Sequence, residues 1–347
     1  MNQNKWVDLL VLLTLFTLVV SACAAPQPPA AKTPAAPLSG LSGMKMAAVL
    51  SGPVNDAGWN ANAYQALTEA RDKYGLEIAY TEYVKVEDAA QVMRDYADAG
   101  FQIIMAHGNE YSDQISEVAR EYPDLHFIQT NGSEAGIPNL YTVGFAIGEG
   151  GYLMGWLACK ISQTGKVAFI IGEQYPAVQY QAQMVGQACA DLGLQAKVLE
   201  TYVGSWTDPT KTKELTKAAL EQGVDVIILM ADSGDSGAIE AVREAYAAGS
   251  TSLRIISWVK DKNHLAPEFV LGGWTEDVSR EIDATLQLIA AGEPGGHFAF
   301  GLAEGVVYPN PMYGLVPAEV ESEFNQLLQD YLQDPSIFPN LVVRRDL

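Results

Sequence analysis

From residue 44 onward, hydrophobic positions fall into two alternating kinds of run. Short aliphatic and β-branched stretches predict strands over 45–50, 76–81, 101–106, 125–129, 140–143, 166–171, 196–202, 224–230, 253–257 and 269–273. Between them, apolar positions recur at helical spacing and predict helices over 61–74, 87–99, 112–121, 148–162, 177–192, 209–222, 237–248, 277–291 and 317–332. In 87–99, for example, Ala90, Met93, Tyr96 and Ala97 follow a 3.6-residue period. The stretch 224–230 is almost continuously apolar, as a parallel strand covered on both faces must be. Strict strand–helix alternation predicts doubly wound parallel sheets. The alternation runs twice, with a seam near Thr142–Gly151, so two α/β lobes are expected.

The first 43 residues read differently. Lys5 is followed by an apolar run from Leu9 to Val20, then Ser21-Ala22-Cys23. A basic start, a short apolar core and small residues before a cleavage point make an export signal. The run is shorter than the ~20 residues that cross a bilayer. A cysteine directly after Val-Ser-Ala marks lipidation, because its thiolate forms the thioether to diacylglycerol. Residues 1–22 are therefore expected to be removed, leaving Cys23 as a lipidated N-terminus that holds the protein on the cell membrane with its folded body outside the cytoplasm. Residues 23–43 contain Pro26, Pro28, Pro29, Pro34 and Pro37 among alanines, ending in Ser-Gly pairs. This is an extended tether with nothing to bury, so folding is expected to begin near Met44.

Composition narrows the partners. The formal charge is -21, and removing 1–22 takes away Lys5 and Asp8 together, so it stays the same. Such acidity disfavours nucleic acid and anionic lipid. Apart from Cys23, the chain has Cys159 and Cys189, in predicted helices on either side of one strand. Two buried free thiols are expected, with a disulfide as the alternative in an oxidising compartment.

Parallel α/β sheets bind ligands where strands end and helices begin, and polar and aromatic residues cluster at these points here. Asn55, Asp56, Trp59 and Asn60 follow the first strand; Asn109 and Asn131 follow the third and fourth; Tyr175, Trp206, Asp232 and Trp258 follow strands of the second half. Tryptophans can sandwich a flat heterocycle, and the asparagines supply directed donors and acceptors for its edges. Each residue alone has a plainer reading: Trp59 as packing at a helix start, Asn55 and Asp56 as helix caps.

Other motifs carry no chemistry. Gly234-Asp235-Ser236-Gly237 spells a serine-protease nucleophile motif but falls at a strand-to-helix turn, where Ser and Asp cap. Gly148-Glu149-Gly150-Gly151 lacks the third glycine of a dinucleotide loop. His107, His126, His264 and His297 are scattered without metal spacing. No enzyme, metal or cofactor is expected.

Three segments carry a resemblance: Asn55-Asp56-Ala57-Gly58-Trp59-Asn60, Glu149-Gly150-Gly151-Tyr152-Leu153-Met154-Gly155, and Val203-Gly204-Ser205-Trp206-Thr207-Asp208-Pro209 with Gln222-Gly223-Val224-Asp225-Val226-Ile227 downstream. With the tether, they resemble the basic membrane protein family of ABC-importer substrate-binding lipoproteins, which includes purine-nucleoside and purine-base receptors. The resemblance implies a type I periplasmic-binding-protein fold whose two lobes close on ligand. Lobe one would comprise 44–144 plus about 274–300, and lobe two 145–273 plus about 301–315; residues 316–347 are left without a lobe. It also implies Trp59 as the stacking aromatic, with Asp56–Asn60 contacting the base.

The chain departs from the family where nucleoside receptors carry Gly-x-Asp-x-Asp. It reads Ser257-Trp258-Val259-Lys260-Asp261, and Trp274 stands near a family lysine. Loss of a ribose anchor, with Trp258 and Trp274 adding bulk, predicts a free base rather than a nucleoside. The resulting expectation is a monomeric binding protein that delivers a purine-like molecule to an ABC permease. The alternative is an extracytoplasmic sensory receptor of the same fold binding another small heterocycle.

Overall fold

The computed structural model describes residues 40–55, 59–133, 136–194 and 196–345. Cys23, the export signal and most of the tether lie outside them, as does Asp56. In the first half, strands and helices alternate as β1 (Lys45–Leu50), α1 (Trp59–Tyr74), β2 (Glu77–Thr81), α2 (Val86–Asp98), β3 (Ile103–His107), α3 (Ser112–Glu121), β4 (His126–Thr130) and β5 (Leu140–Phe145). The second half continues with α4 (Glu149–Ile161), β6 (Lys166–Ile171), α5 (Pro176–Asp191), β7 (Lys197–Tyr202), α6 (Pro209–Glu221), β8 (Val226–Met230), α7 (Asp235–Ala247), β9 (Arg254–Ser257) and β10 (Val270–Leu271). The chain ends with β11 (Trp274–Glu276), α8 (Val278–Ala291), β12 (Gly296–Phe300), β13 (Val307–Pro309) and α9 (Ala318–Gln333).

Two fully parallel sheets result, in the order β12-β5-β4-β3-β1-β2 and β10-β9-β8-β6-β7. The continuous apolarity of the strands follows from this double cover. Met46, Ala48 and Leu50 of β1 pack in one cluster, together with residues of α1 and α8. Ala47 and Val49 face the opposite cluster, with α2 and α3. In the second sheet, Val167, Phe169 and Ile171 of β6 point to the α4–α5 side, while Ala168 and Ile170 point to α6–α7. On α1 the inward positions are small (Ala63, Ala66, Ala70), which lets the helix lie close to the sheet and to α8.

The chain crosses between the sheets repeatedly. After β10 it passes through β11, packs α8 beside α1, and inserts β12 at the edge of the first sheet against β5. It returns through β13, antiparallel to β11, and α9 then buries Val320, Phe324 and Tyr331 in the core of the second lobe. This places the C-terminal helix that the sequence left without a lobe. Residues 342–345 form a strap: Arg344 bridges Ile147 through two 2.8 Å backbone hydrogen bonds, and Tyr180 donates to the Val342 carbonyl at 2.6 Å.

Three expectations are corrected. The folded body begins before Met44, because Leu41 is 1% exposed within the first lobe's core. Cys159 and Cys189 form a disulfide between α4 and α5, with Cα atoms 5.7 Å apart. The expected strand 269–273 stops at Leu271: Gly273 has φ 68°, and a Cβ there would lie 1.8 Å from the Ser257 carbonyl oxygen. Strands β11, β12 and β13 were not anticipated. Two have three residues each, and β12 opens on glycine and pairs with a strand about 150 residues earlier.

Candidate functional site

On the first lobe, Trp59 opens α1 at the carboxyl end of β1. Its half-buried indole stacks on His107 with centroids 3.8 Å apart and planes 23° from parallel. His107, at the end of β3, is fully buried. Its Nε2 bonds the Trp59 carbonyl at 3.0 Å and its Nδ1 bonds the Thr130 hydroxyl at 2.8 Å. A ring held at both nitrogens cannot turn, so it fixes the plane of the indole in front of it. His107 is thus a candidate site residue that the absence of metal spacing had set aside; its position at a strand end was the available signal. Asn60 is buried, and its Oδ1 accepts from the Gly52 amide at 3.2 Å, which shapes the β1–α1 turn. Asn55 and Asn109 are exposed in strand-end loops; Asn131 is exposed too, with φ 52°.

On the second lobe, Tyr175 and Trp206 meet edge to face, with centroids 6.3 Å apart. Trp206 lies over Gly172 at the end of β6, where an added Cβ would come within 2.2 Å of the ring. Glycine is therefore what permits this indole to sit on the strand end. The adjoining Asp208 accepts from the Lys211 amide at 2.9 Å and caps α6, so part of the Trp206–Pro209 motif is structural. Asp232, with φ 50°, is exposed after β8. Loss of solvent around the Tyr175 phenol, then the charges of Glu276, Asp232 and Glu173, raise its pKa above the ordinary value. Tyr175, Trp206, Asp232 and Glu276 thus share one region. Glu276 was not anticipated. It lies on β11, accepts from Trp258 Nε1 at 3.0 Å, and is pushed up to about 7 by burial and then by repulsion from Asp232.

Trp258 and Trp274 do not join this surface, contrary to expectation. They are 0% and 1% exposed, 6.4 Å apart, with Phe169 against Trp258. A Cβ on Gly150 would meet both rings at under 3 Å, so α4 is seated directly on them. Their bulk fills the interior of the second lobe and cannot exclude a sugar. Asp261 accepts from the Asn263 amide at 2.9 Å through Oδ1 and from the Tyr313 hydroxyl through Oδ2.

Between the lobes lies a cavity of about 330 Å³, lined by Asn62, Lys260, Asp261, Glu276, Asp277 and Tyr308, among others. The protease-like turn is structural: Asp235 accepts from the Ala231 amide at 2.8 Å, and the Ser236 hydroxyl donates to the Ser233 carbonyl at 3.0 Å. Among the described residues, no helix is long and apolar enough to cross a membrane.

Two lobes of parallel sheet, crossed by several strands, define a type I periplasmic-binding-protein fold. The chain belongs to the family of PnrA-like ABC transporter substrate-binding proteins, whose model matches residues 44–337. It is 28% identical over 306 residues to basic membrane protein A2 of Borrelia garinii subsp. bavariensis, covering 85% of this chain and 88% of that one. It is 30% identical over 195 residues to a purine-binding protein of Brucella abortus, covering 55% of each. Among solved structures, a transcriptional activator of the comK gene from Bacillus halodurans superposes with TM-score 0.74 at 23% identity, covering 84% of this chain and 99% of that one. An ABC transporter solute-binding protein of Aeropyrum pernix gives 0.69 at 18%, covering 85% and 91%.

Proposed function

We propose that this protein captures a purine-like small molecule between its lobes and passes it to an ABC permease, working from the outer side of the cell membrane and held there by lipid on Cys23. The observation that carries the reading is the Trp59–His107 stack: a partly exposed indole, locked in plane at a strand end, is a platform for a flat ring. The purine-binding relative supports the choice of ring. Asn55, Asp56, Asn60, Asn109 and Asn131 on the first lobe, and Tyr175, Trp206 and Asp232 on the second, would address its edges. Lobe closure would trap the ligand, with no bond broken.

A free base is favoured over its nucleoside. Support for this no longer comes from Trp258 and Trp274, which are interior. It comes from Val259, which offers a ribose no side-chain acceptor, and from Asp261, whose two oxygens are already engaged. A buried hydroxyl without a partner costs about 1–3 kcal/mol. Thermal-shift titrations of adenine, guanine, hypoxanthine and xanthine beside their nucleosides should show the bases binding at least as tightly. Trp59→Ala should weaken binding by one to two orders of magnitude, from about 1–3 kcal/mol of lost stacking. A clear preference for nucleosides would overturn the choice of base. No stabilisation by any of the eight would remove purines altogether.

A further inference from the structure

We infer that the cleft selects a purine whose exocyclic groups are amino rather than oxo, and that Glu276 is the residue that sets this choice. The inference rests on the purine reading and deepens it.

The cavity between the lobes is bounded by acceptors that come from separate elements. Glu276 stands at the end of β11 and Asn62 comes from α1, with the Lys260 ammonium in the same lining; the other two carboxylates there are committed, Asp261 to the Asn263 amide and the Tyr313 hydroxyl, Asp277 to the Arg280 amide and the Tyr308 hydroxyl. Asn62 is an independent sign that a donor is wanted here. It is 7% exposed, it lines the cavity, and its amide oxygen has no hydrogen-bond partner. A buried acceptor left this way costs binding energy unless a ligand supplies the proton.

Glu276 is positioned for reading rather than for packing. The Trp258 indole N–H holds one carboxyl oxygen at 3.0 Å, and Trp258 is itself immobilised in the core. The carboxyl therefore has a fixed orientation from a rigid support, the condition for selectivity. Asp232 lies close enough to repel it, and that repulsion adds to burial in outweighing the indole's donation. Glu276 and Asn62 thus offer the cavity acceptors from two separate elements. A ligand presenting exocyclic amino and ring N–H groups would satisfy carboxylate and amide oxygens together. Oxopurines also carry ring N–H groups, so the choice falls on the exocyclic position: a carbonyl facing Glu276 would set acceptor against acceptor, which is how polar sites reject near-isosteres most strongly.

Calorimetric titration of the purified full chain at pH 8, above the value near 7 to which Glu276 is pushed, with 2,6-diaminopurine, adenine, hypoxanthine and xanthine tests this. Diaminopurine and adenine should bind at least about tenfold more tightly than xanthine, the scale of one hydrogen bond to a charged group. Glu276→Gln keeps an oxygen for the Trp258 N–H but removes the charge and adds a donor. It should weaken diaminopurine about tenfold and leave xanthine unchanged or tighter, collapsing the ratio. Equal or reversed ranking in the wild type would overturn the inference, whatever the variant does. So would a variant that folds and keeps the wild-type ratio. If none of the four binds, the purine reading itself falls, and this inference with it.

Discussion

Glu281 is 1% exposed on the inward side of α8, and its Oε1 has no hydrogen-bond partner. Burial first, then the charges of Glu276 and Asp277, push its pKa up to about 8, from 4.5. Between these values the folded protein keeps a proton that the unfolded chain has released. Stability therefore falls as pH rises through that window, and Glu276 acts in the same direction up to about 7. Glu281→Gln should raise the melting temperature at pH 8, by the equivalent of roughly 1–4 kcal/mol, and change little at pH 5. Equal shifts at both pH values, by calorimetry, would mean Glu281 does not titrate as described. Residue roles were only partly legible beforehand. Trp59 and Trp206 stood out because an aromatic beside polar residues at a strand end is conspicuous. His107 did not, because its role depends on Trp59 and Thr130, which meet it only across the fold. Trp258 and Trp274 were misplaced for the converse reason: local sequence cannot tell an aromatic facing a cleft from one beneath it.

At the scale of elements, the alternation of patterns was highly informative. Strands β1 and β6 and helix α3 have the bounds that periodicity predicts. Helix starts were readable where capping is local, as at Asp208-Pro209 and at Asp277, which accepts from the Arg280 amide at 3.1 Å. Pairings between elements were not. The α4–α5 disulfide joins residues 30 apart in sequence, and only helix packing brings them within reach. Closing a loop of that size stabilises by about 3–4 kcal/mol in the chain-entropy account. Replacing both cysteines by alanine should lower stability by about 2–4 kcal/mol in denaturant titration, chiefly through the second lobe. Thiol titration of the unfolded, unreduced chain should find neither sulfur reactive; two reactive thiols from these positions would contradict the bond.

For the whole molecule, the proposed anchor predicts where the protein resides. Cys23→Ala should move it from the membrane fraction to the soluble fraction, since the acyl chains would be its attachment; continued sedimentation with membranes would refute lipidation at Cys23. The strap of residues 342–345 belongs to this scale as well, because it touches α5 through Tyr180 and β12 through His297, whose Nε2 lies 2.8 Å from the Arg345 carbonyl. The sequence by itself determined the class of fold. Apolar periodicity of two and 3.6 is a local property, and its strict alternation admits few arrangements besides parallel sheets covered by helices. It also determined which strand ends carry polar and aromatic groups. The tertiary structure alone decided which of these share a surface, which tryptophans are interior, where α9 docks and that Glu276 enters the cleft. Those outcomes depend on crossovers between lobes, and the pairing of distant segments leaves no periodic trace in the chain.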